Sequence, residues 1–570
     1  MRCLFSLFPI FMQLKQIRSS TLGGWLLALA FTWPCQAYAD AAGEENAPKS
    51  GSGDKTASAE SARGGAQEQN PANQFDLWEL RIKGAVTLEK GVVERTIYPF
   101  LGPHKTLDDV DKARAALEHA YHAQGFQTVA VDIPEQDVKN GVVYLQVVEG
   151  KITRLRVKDS RYFSLGKIKE AIPELAEGNV PNMPKMQKQL ADLAAQSPDR
   201  QIQPVLRAGD TPGTLEVDLK VKDELPLHAR VELNGRNTST TSRLRLVNSL
   251  RYDNLWQQMH SASVMYQVSP ENNSEVDVWA GTYAIPLAEQ GSRLVFYGVS
   301  SNSSSQVASA GATTVIGNGD IFGARYVTPF KALETYFHSA TLGMDYKHFK
   351  EDLKVLNANG ISTPITYMPF LAQYSGNLRG KDYTGSMDLA MHFGVSGIVS
   401  DPAQFENKRH LAKADFMYLT GDFKYQYDLP YGMLVKTHIA GQTTNSPLIS
   451  NEQFSLGGAT TVRGYFETQA LADEAVLGSL EFLSPHLAPL EWDFLNRLKA
   501  SAFVDAARGW VISPLAGNPK GYDLYSAGFG FSFSLWKKLS GALDLGFPFV
   551  ALAPVKSGEP RMHFSVVTEF

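Results

Sequence analysis

Along residues 226–570, apolar and polar positions alternate in segment after segment, with Gly, Asn, Ser, Asp and Pro between them. The pattern is plainest from Tyr525 to Trp536. Tyr525, Ala527, Phe529, Phe531, Phe533 and Leu535 fall on one face, and Ser526, Gly528, Gly530, Ser532 and Ser534 on the other. The last segment sets Met562, Phe564, Val566, Thr568 and Phe570 against His563, Ser565, Val567 and Glu569. A repeat of two is that of a strand, whose successive side chains point to opposite faces. Eleven such segments lie between Leu227 and Thr443 and five between Val476 and Phe570, an even total, as a single-chain bacterial barrel requires. They run about 10–14 residues, longer than ordinary strands and long enough for a tilted bilayer crossing. A soluble sandwich would alternate as well. Here the second face is rich in Ser, Gly and charge, which suits a wet lumen. No apolar run reaches the ~18–20 residues of a membrane helix. Residues 226–570 are therefore predicted to form a transmembrane β-barrel of about 16 antiparallel strands.

Upstream the pattern differs. Trp78, Leu80 and Ile82 alternate as in a half-buried strand. Thr106-Leu107-Asp108-Asp109 reads as a capping-box-like helix start. Val110, Ala113, Leu117, Ala120 and Tyr121 follow at helical spacing up to Gly125. Strands are expected at Val129 to Ile133 and Val143 to Val147, around the turn Pro134-Glu135-Gln136-Asp137. The order of strand, short helix, helix, strand, strand then recurs. Ile152 to Val157, Leu165 to Ile172, a helix capped by Asn182 with Met183, Met186, Leu190 and Leu193 on one stripe, Gln201 to Leu206, and Leu215 to Val221 supply it. Two small α+β modules, 75–150 and 151–225, are expected in tandem.

The first 74 residues carry no such pattern. Arg2, Lys15 and Arg18 precede an apolar core from Leu22 to Trp33, and Ala37-Tyr38-Ala39 is a small-x-small cleavage pattern. Residues 1–39 read as a secretory signal, since the apolar core is too short for an anchor. Residues 40–74 contain no Leu, Ile, Val, Met, Phe, Tyr or Trp, so they read as a disordered spacer. The two cysteines of the 570-residue chain, Cys3 and Cys35, would leave with the signal, which excludes a disulfide scaffold or a four-cysteine zinc site. Losing the three basic residues would take the formal charge from −5 to −8, so no basic field invites nucleic acid.

Short motifs carry a resemblance. Gln124-Gly125-Phe126, Pro134-Glu135-Gln136 and the run Gly141 to Gly150 resemble the polypeptide-transport-associated (POTRA) domain of haemolysin-type secretion proteins. Pro204-Val205-Leu206, Gly209 and Pro212-Gly213-Thr214 close the second module in the same style. Between the eleventh and twelfth strands, Gly457-Gly458-Ala459 is followed by Val462-Arg463-Gly464-Tyr465, which resembles the inward-folded loop of two-partner secretion transporters. In that family the loop arginine meets an aspartate of the inner wall. The corresponding pattern here is Phe503-Val504-Asp505, on a strand where Lys499, Ser501, Phe503 and Asp505 share a face. Glu481, between Leu480 and Phe482, would face inward too. Phe570 resembles the C-terminal signal of outer-membrane barrels.

The resemblance implies an outer-membrane transporter, in a haemolysin secretion and activation family, that passes an unfolded haemolysin- or adhesin-like exoprotein from periplasm to cell surface. It implies outer-membrane lipid around the barrel and the barrel-assembly machinery as the agent of its insertion. An insertase of the barrel-assembly class is a second reading, and a passive pore or barrel enzyme a third. Some members of the family carry an N-terminal plug helix, for which residues 40–74 lack the apolar stripe. No cofactor, metal or catalytic residue is expected. His119 and His122 stand three apart on a helix without a third ligand, and Gly317, Gly319 and Gly323 precede no phosphate-binding helix.

Overall fold

The computed structural model describes residues 74–570, apart from 85–86, 288–290, 309–313, 351, 354–360, 488 and 490–492. The expected signal, and the spacer but for Gln74, lie outside the described residues.

The first module contains β1 (Phe75–Leu77), β2 (Glu79–Lys83), α1 (Lys90–Ile97), β3 (Gly102–Lys105), α2 (Leu107–Ala123), β4 (Ala130–Asp132) and β5 (Val142–Val148). β5 is the middle strand of a sheet ordered β2-β5-β4, parallel to β2 and antiparallel to β4. The start of α2 is fixed by Asp109, whose carboxylate accepts the Thr106 backbone N–H at 2.9 Å. Val110, Ala113, Leu117 and Tyr121 of its stripe are buried against the sheet. Trp78 departs from the expected alternation. It sits between β1 and β2, 60 % exposed, and donates its backbone N–H to the Gly141 carbonyl at 2.8 Å. Gly141 has φ +73, and a Cβ there would lie 2.5 Å from the Trp78 ring, so only glycine fits that crossing.

The Pro-Glu-Gln turn has a visible task. The Gln136 amide accepts the Tyr144 N–H at 2.7 Å and donates to the Tyr144 carbonyl at 2.8 Å. Val142 N–H is taken by the Lys139 carbonyl, and Gln146 to Val148 pair with β4.

The second module repeats the plan with β6 (Lys151–Lys158), α3 (Leu165–Glu170), α4 (Met183–Ala195), β7 (Arg200–Ala208) and β8 (Thr214–Asp223), ordered β6-β8-β7. Asn182 caps α4 by accepting the Lys185 N–H at 3.3 Å, and donates its amide to the Gln124 carbonyl at 2.7 Å, joining the modules. A Cβ on Gly125 would lie 2.8 Å from Pro184, which explains the glycine of that motif. On β8, Asp218 is enclosed by Lys158 Nζ at 2.8 Å and Arg156 Nε at 2.7 Å. Hydrogen bonds from these two, Lys158 first, hold its carboxyl down at about 2.

Beyond Leu225 the chain forms a closed antiparallel barrel from Leu227–Asn234 to Arg561–Glu569. Ile365–Tyr367 and Pro369–Arg379 both pair with Tyr336–Phe349 and form one interrupted strand, so the described barrel has sixteen strands, eleven before the long loop and five after it. Closure runs from Ser565↔Asn234 to Glu569↔Arg230. Odd-numbered strands run away from the modules and even-numbered ones return. The turn after Arg245–Leu255 docks on the second module: Gln257 bonds both Tyr162 O and Ser164 N, and Met259 packs against that module's core.

The alternation is turned inside out relative to a soluble protein. Trp279, Phe322, Leu342, Phe482, Phe529 and Leu543 are among the apolar side chains exposed on the barrel. Asp345, Arg325, Asp505 and His563 are buried. An apolar exterior around a polar interior is the arrangement of a membrane barrel.

Candidate functional site

Residues 445–473 do not stay outside the barrel. They carry the buried turn Ser450–Glu452 and a short hairpin, Phe454–Leu456 against Ala470–Ala472. Gly457 (φ +97) and Gly458 (φ +114) turn the chain in a conformation that glycine adopts without strain. Val462, Arg463 and Tyr465 are then buried against the inner wall.

Arg463 meets Asp505 as a fork. Its Nε donates to Asp505 Oδ2 at 2.9 Å and its Nη2 to Oδ1 at 2.9 Å, while its own backbone N–H donates to Oδ2 at 3.0 Å. Ser479 Oγ adds a bond to Oδ1 at 2.6 Å. The guanidinium carbon lies 3.4 Å from the centre of the Phe503 ring. Side-chain exposure is 8 % for Arg463 and 1 % for Asp505, so neither charge has water to fall back on. Such planar, charge-assisted pairs are the strong hydrogen bonds of proteins, and stacking on an aromatic face suits arginine in particular.

Glu481 stands farther off, 3.7 Å from Arg463 Nη1, and Asp544 at 3.9 Å. One arginine therefore faces three carboxylates. Gly464 (φ +94) lies against the backbone of Gly546 and donates its N–H to His563 Nε2 at 3.0 Å. Tyr465 OH donates to the Val550 carbonyl at 2.8 Å. Beside the tip lies a cavity of about 470 Å³, lined by Arg463, Ser479, Glu481, Lys436 and His438.

All four loop residues and the three wall residues singled out in the sequence thus meet at one place. Phe570 lies elsewhere. Its backbone exchanges hydrogen bonds with Ala229 at 2.9 and 3.2 Å, extending the closing pair of strands. Sequence reasoning passed over Ser479, Asp544, Gly546 and His563. Asp544 and His563 had a signal, since each is polar at a position flanked by residues of an apolar outer face. Gly546 had none.

Among the described residues, Asp199, His228 and Asp253 come within ligating distance of one another. Asp253 Oδ2, which lies 3.5 Å from His228, already accepts Arg251 Nε at 2.9 Å, so this group is a hydrogen-bonded joint between the second module and the barrel. His119 is exposed on α2, and His122 bonds the Val129 carbonyl at 3.0 Å.

A family model described as "Haemolysin secretion/activation protein ShlB/FhaC/HecB" matches residues 213–533, and one described as "POTRA domain, ShlB-type" matches residues 75–150. The chain is 31% identical over 148 residues to the outer membrane transporter CdiB-2 of Burkholderia pseudomallei, covering 25% of this chain and 24% of that protein. It is 22% identical over 494 residues to the heme/hemopexin transporter protein HuxB of Haemophilus influenzae, covering 81% of each. Against the CdiB proteins that it matches in sequence, the chain spans 24% to 32% of their length. Among solved structures, CdiB from Escherichia coli aligns with a TM-score of 0.56 at 17% identity, over 90% of this chain and 93% of that one. BamA from Haemophilus ducreyi lacking POTRA domains 1–3 aligns at 0.54 and 13% identity, over 87% and 100%. At such identities these likenesses show the fold.

Proposed function

The chain belongs to the haemolysin secretion/activation protein family, and from that premise we propose that it is the outer-membrane transporter of a two-partner secretion system. Its cargo is an unfolded haemolysin- or adhesin-like exoprotein, moved from periplasm to cell surface and open to activation on the way. The observation that carries this reading is the buried Arg463–Asp505 fork, which holds the long loop against the inner wall of the barrel.

In this reading residues 1–39 are a cleaved signal and 40–74 a tether. The two modules capture the extended cargo in the periplasm, by contacts that include strand addition at an open sheet edge. The loop bearing Arg463 then leaves the wall and the chain passes. Breaking a fork of this kind strands a buried charge, so the loop returns when the cargo has gone. No ATP is at hand outside the inner membrane, and folding of the cargo at the surface supplies direction. The barrel itself reaches its place through the barrel-assembly machinery, with Phe570 as the recognised end. No step breaks a covalent bond, so no catalytic residue is assigned.

The test is the secreted proteome of cells with and without this gene. Loss of one large exoprotein supports the transporter. Loss of outer-membrane barrels in general would make it an insertase, and no change in either would leave a pore or an enzyme.

A further inference from the structure

The long loop is pinned at a second place, eleven residues before Arg463 and on a different arc of the barrel wall. Glu452, in its first limb, is 4 % exposed. Its Oε1 accepts Lys347 Nζ at 2.6 Å and Tyr367 OH at 2.5 Å, and its Oε2 accepts Tyr418 OH at 2.6 Å. Lys347 ends an odd-numbered strand, Tyr336–Phe349, while Tyr367 and Tyr418 begin even-numbered ones, so all three stand at the end of the barrel away from the modules. The surroundings are dry. Leu448 and Ile449 of the same limb, Phe405 of the short helix Pro402–Lys408, and the wall residues Val299, Ile321 and Phe349 form one buried apolar cluster.

The other limb is fastened at the same end. Asp473 has no exposed surface. It accepts Arg409 Nη1 at 2.5 Å and Nη2 at 2.6 Å, and the backbone N–H groups of Leu448 and Ile512 at 2.9 and 2.7 Å. The tip that carries Arg463 begins only beyond this base, at Gly457 and Gly458.

We propose that Glu452 and Lys347 form a second closure, in series with the Arg463–Asp505 fork, which seals the extracellular mouth. The fork ties the loop to Glu474–Leu483, Leu495–Trp510 and Leu539–Pro548. The Glu452 hub ties it to Tyr336–Phe349, Ile365–Tyr367 and Met417–Asp428. A loop held on both arcs still crosses the lumen when either hold is released. An apolar cluster alone would seal the mouth in many arrangements. A buried pair with two tyrosine hydroxyls is satisfied in one, and such polar groups specify a single geometry where apolar packing does not. The inference rests on the loop being the pore's closure, as proposed above, but it can be tested by ion flow, without any cargo.

The experiment is single-channel conductance of the purified full chain in planar bilayers. R463A, the length-conserving pair K347M/E452Q, and the triple variant are compared, with heat-modifiable migration reporting the folded barrel. Two closures in series predict that the triple variant is open about tenfold more of the time than either parent, because coupled sites are not additive. A triple variant no more open than R463A would reduce the hub to packing, and K347M/E452Q as open as the triple would make it the sole closure; either result overturns the proposal. If the neutralised pair fails to fold, Y367F/Y418F in the R463A background removes two of the hub's donors and keeps its packing. An open fraction above that of R463A is then expected, and an unchanged one overturns the proposal. Separately, export unchanged in these variants with conductance behaving as stated would tell against the cargo reading alone.

Discussion

Gly464 and Gly546 meet backbone to backbone: a Cβ on Gly546 would lie 2.5 Å from the Gly464 amide nitrogen, and one on Gly464 would lie 3.1 Å from the Gly546 carbonyl carbon. The loop tip therefore rests on bare main chain of the wall, which brings the neighbouring Arg463 down onto Asp505. Gly546→Ala is expected to keep the barrel folded and push the tip off the wall, at about 1–3 kcal/mol for an overpacked contact. Limited proteolysis in the loop should rise and export should fall. A loop as resistant as the parent's would show that the contact yields without cost.

Arg463→Ala removes one member of a buried pair and leaves Asp505 uncompensated, at a cost of about 3–5 kcal/mol to the docked loop. Barrel insertion should survive, since Asp505 remains in its strand with Ser479 beside it. Secretion of the partner exoprotein is the readout, and wild-type levels would rule out a role for the fork.

Arg463→Lys keeps the charge but loses the fork and the stack on Phe503. A lysine supplies a point charge where two parallel donors are needed. Export intermediate between the parent and Arg463→Ala is the expected result, measured on the same cells.

Asp218 titrates near 2 in the fold against an ordinary carboxyl near 3.8. A lowered folded value means that the stabilisation is complete above the ordinary value and is lost as pH falls from about 4 towards 2. Protection of the amides in residues 151–223 of the full chain, taken against the intrinsic exchange rate at each pH, should fall across that window. In Asp218→Asn exchange should be faster at neutral pH and lose most of this acid response.

Gln136→Ala should free the N–H and carbonyl of Tyr144. With each hydrogen bond worth about 1 kcal/mol net, exchange of the Tyr144 amide should quicken by about tenfold or less. The barrel strands should exchange as before.

The barrel was legible because lipid and lumen impose opposite demands on alternate residues, so Val504, half exposed outside, and Asp505, buried inside, announce their faces by position alone. Arg463 was legible through a short motif whose partner lies on a strand with readable alternation. The Glu452 hub was not. Lys347 lies 105 residues away, and only barrel closure and the inward path of the loop bring the two together. Trp78 breaks the alternation for a local reason: its backbone crosses to Gly141, so the pleat is interrupted where the pattern runs on.

A primary amide offers one donor and one acceptor side by side, as a peptide group does. Gln136 thus occupies the seat of an absent strand beside β5, with Lys139 and β4 filling the seats on either side. A passing polypeptide finds no vacant rung beside that middle strand. Whatever grips it at that margin of the first module has to be side chains, which read the sequence of a cargo, rather than a backbone ladder, which does not.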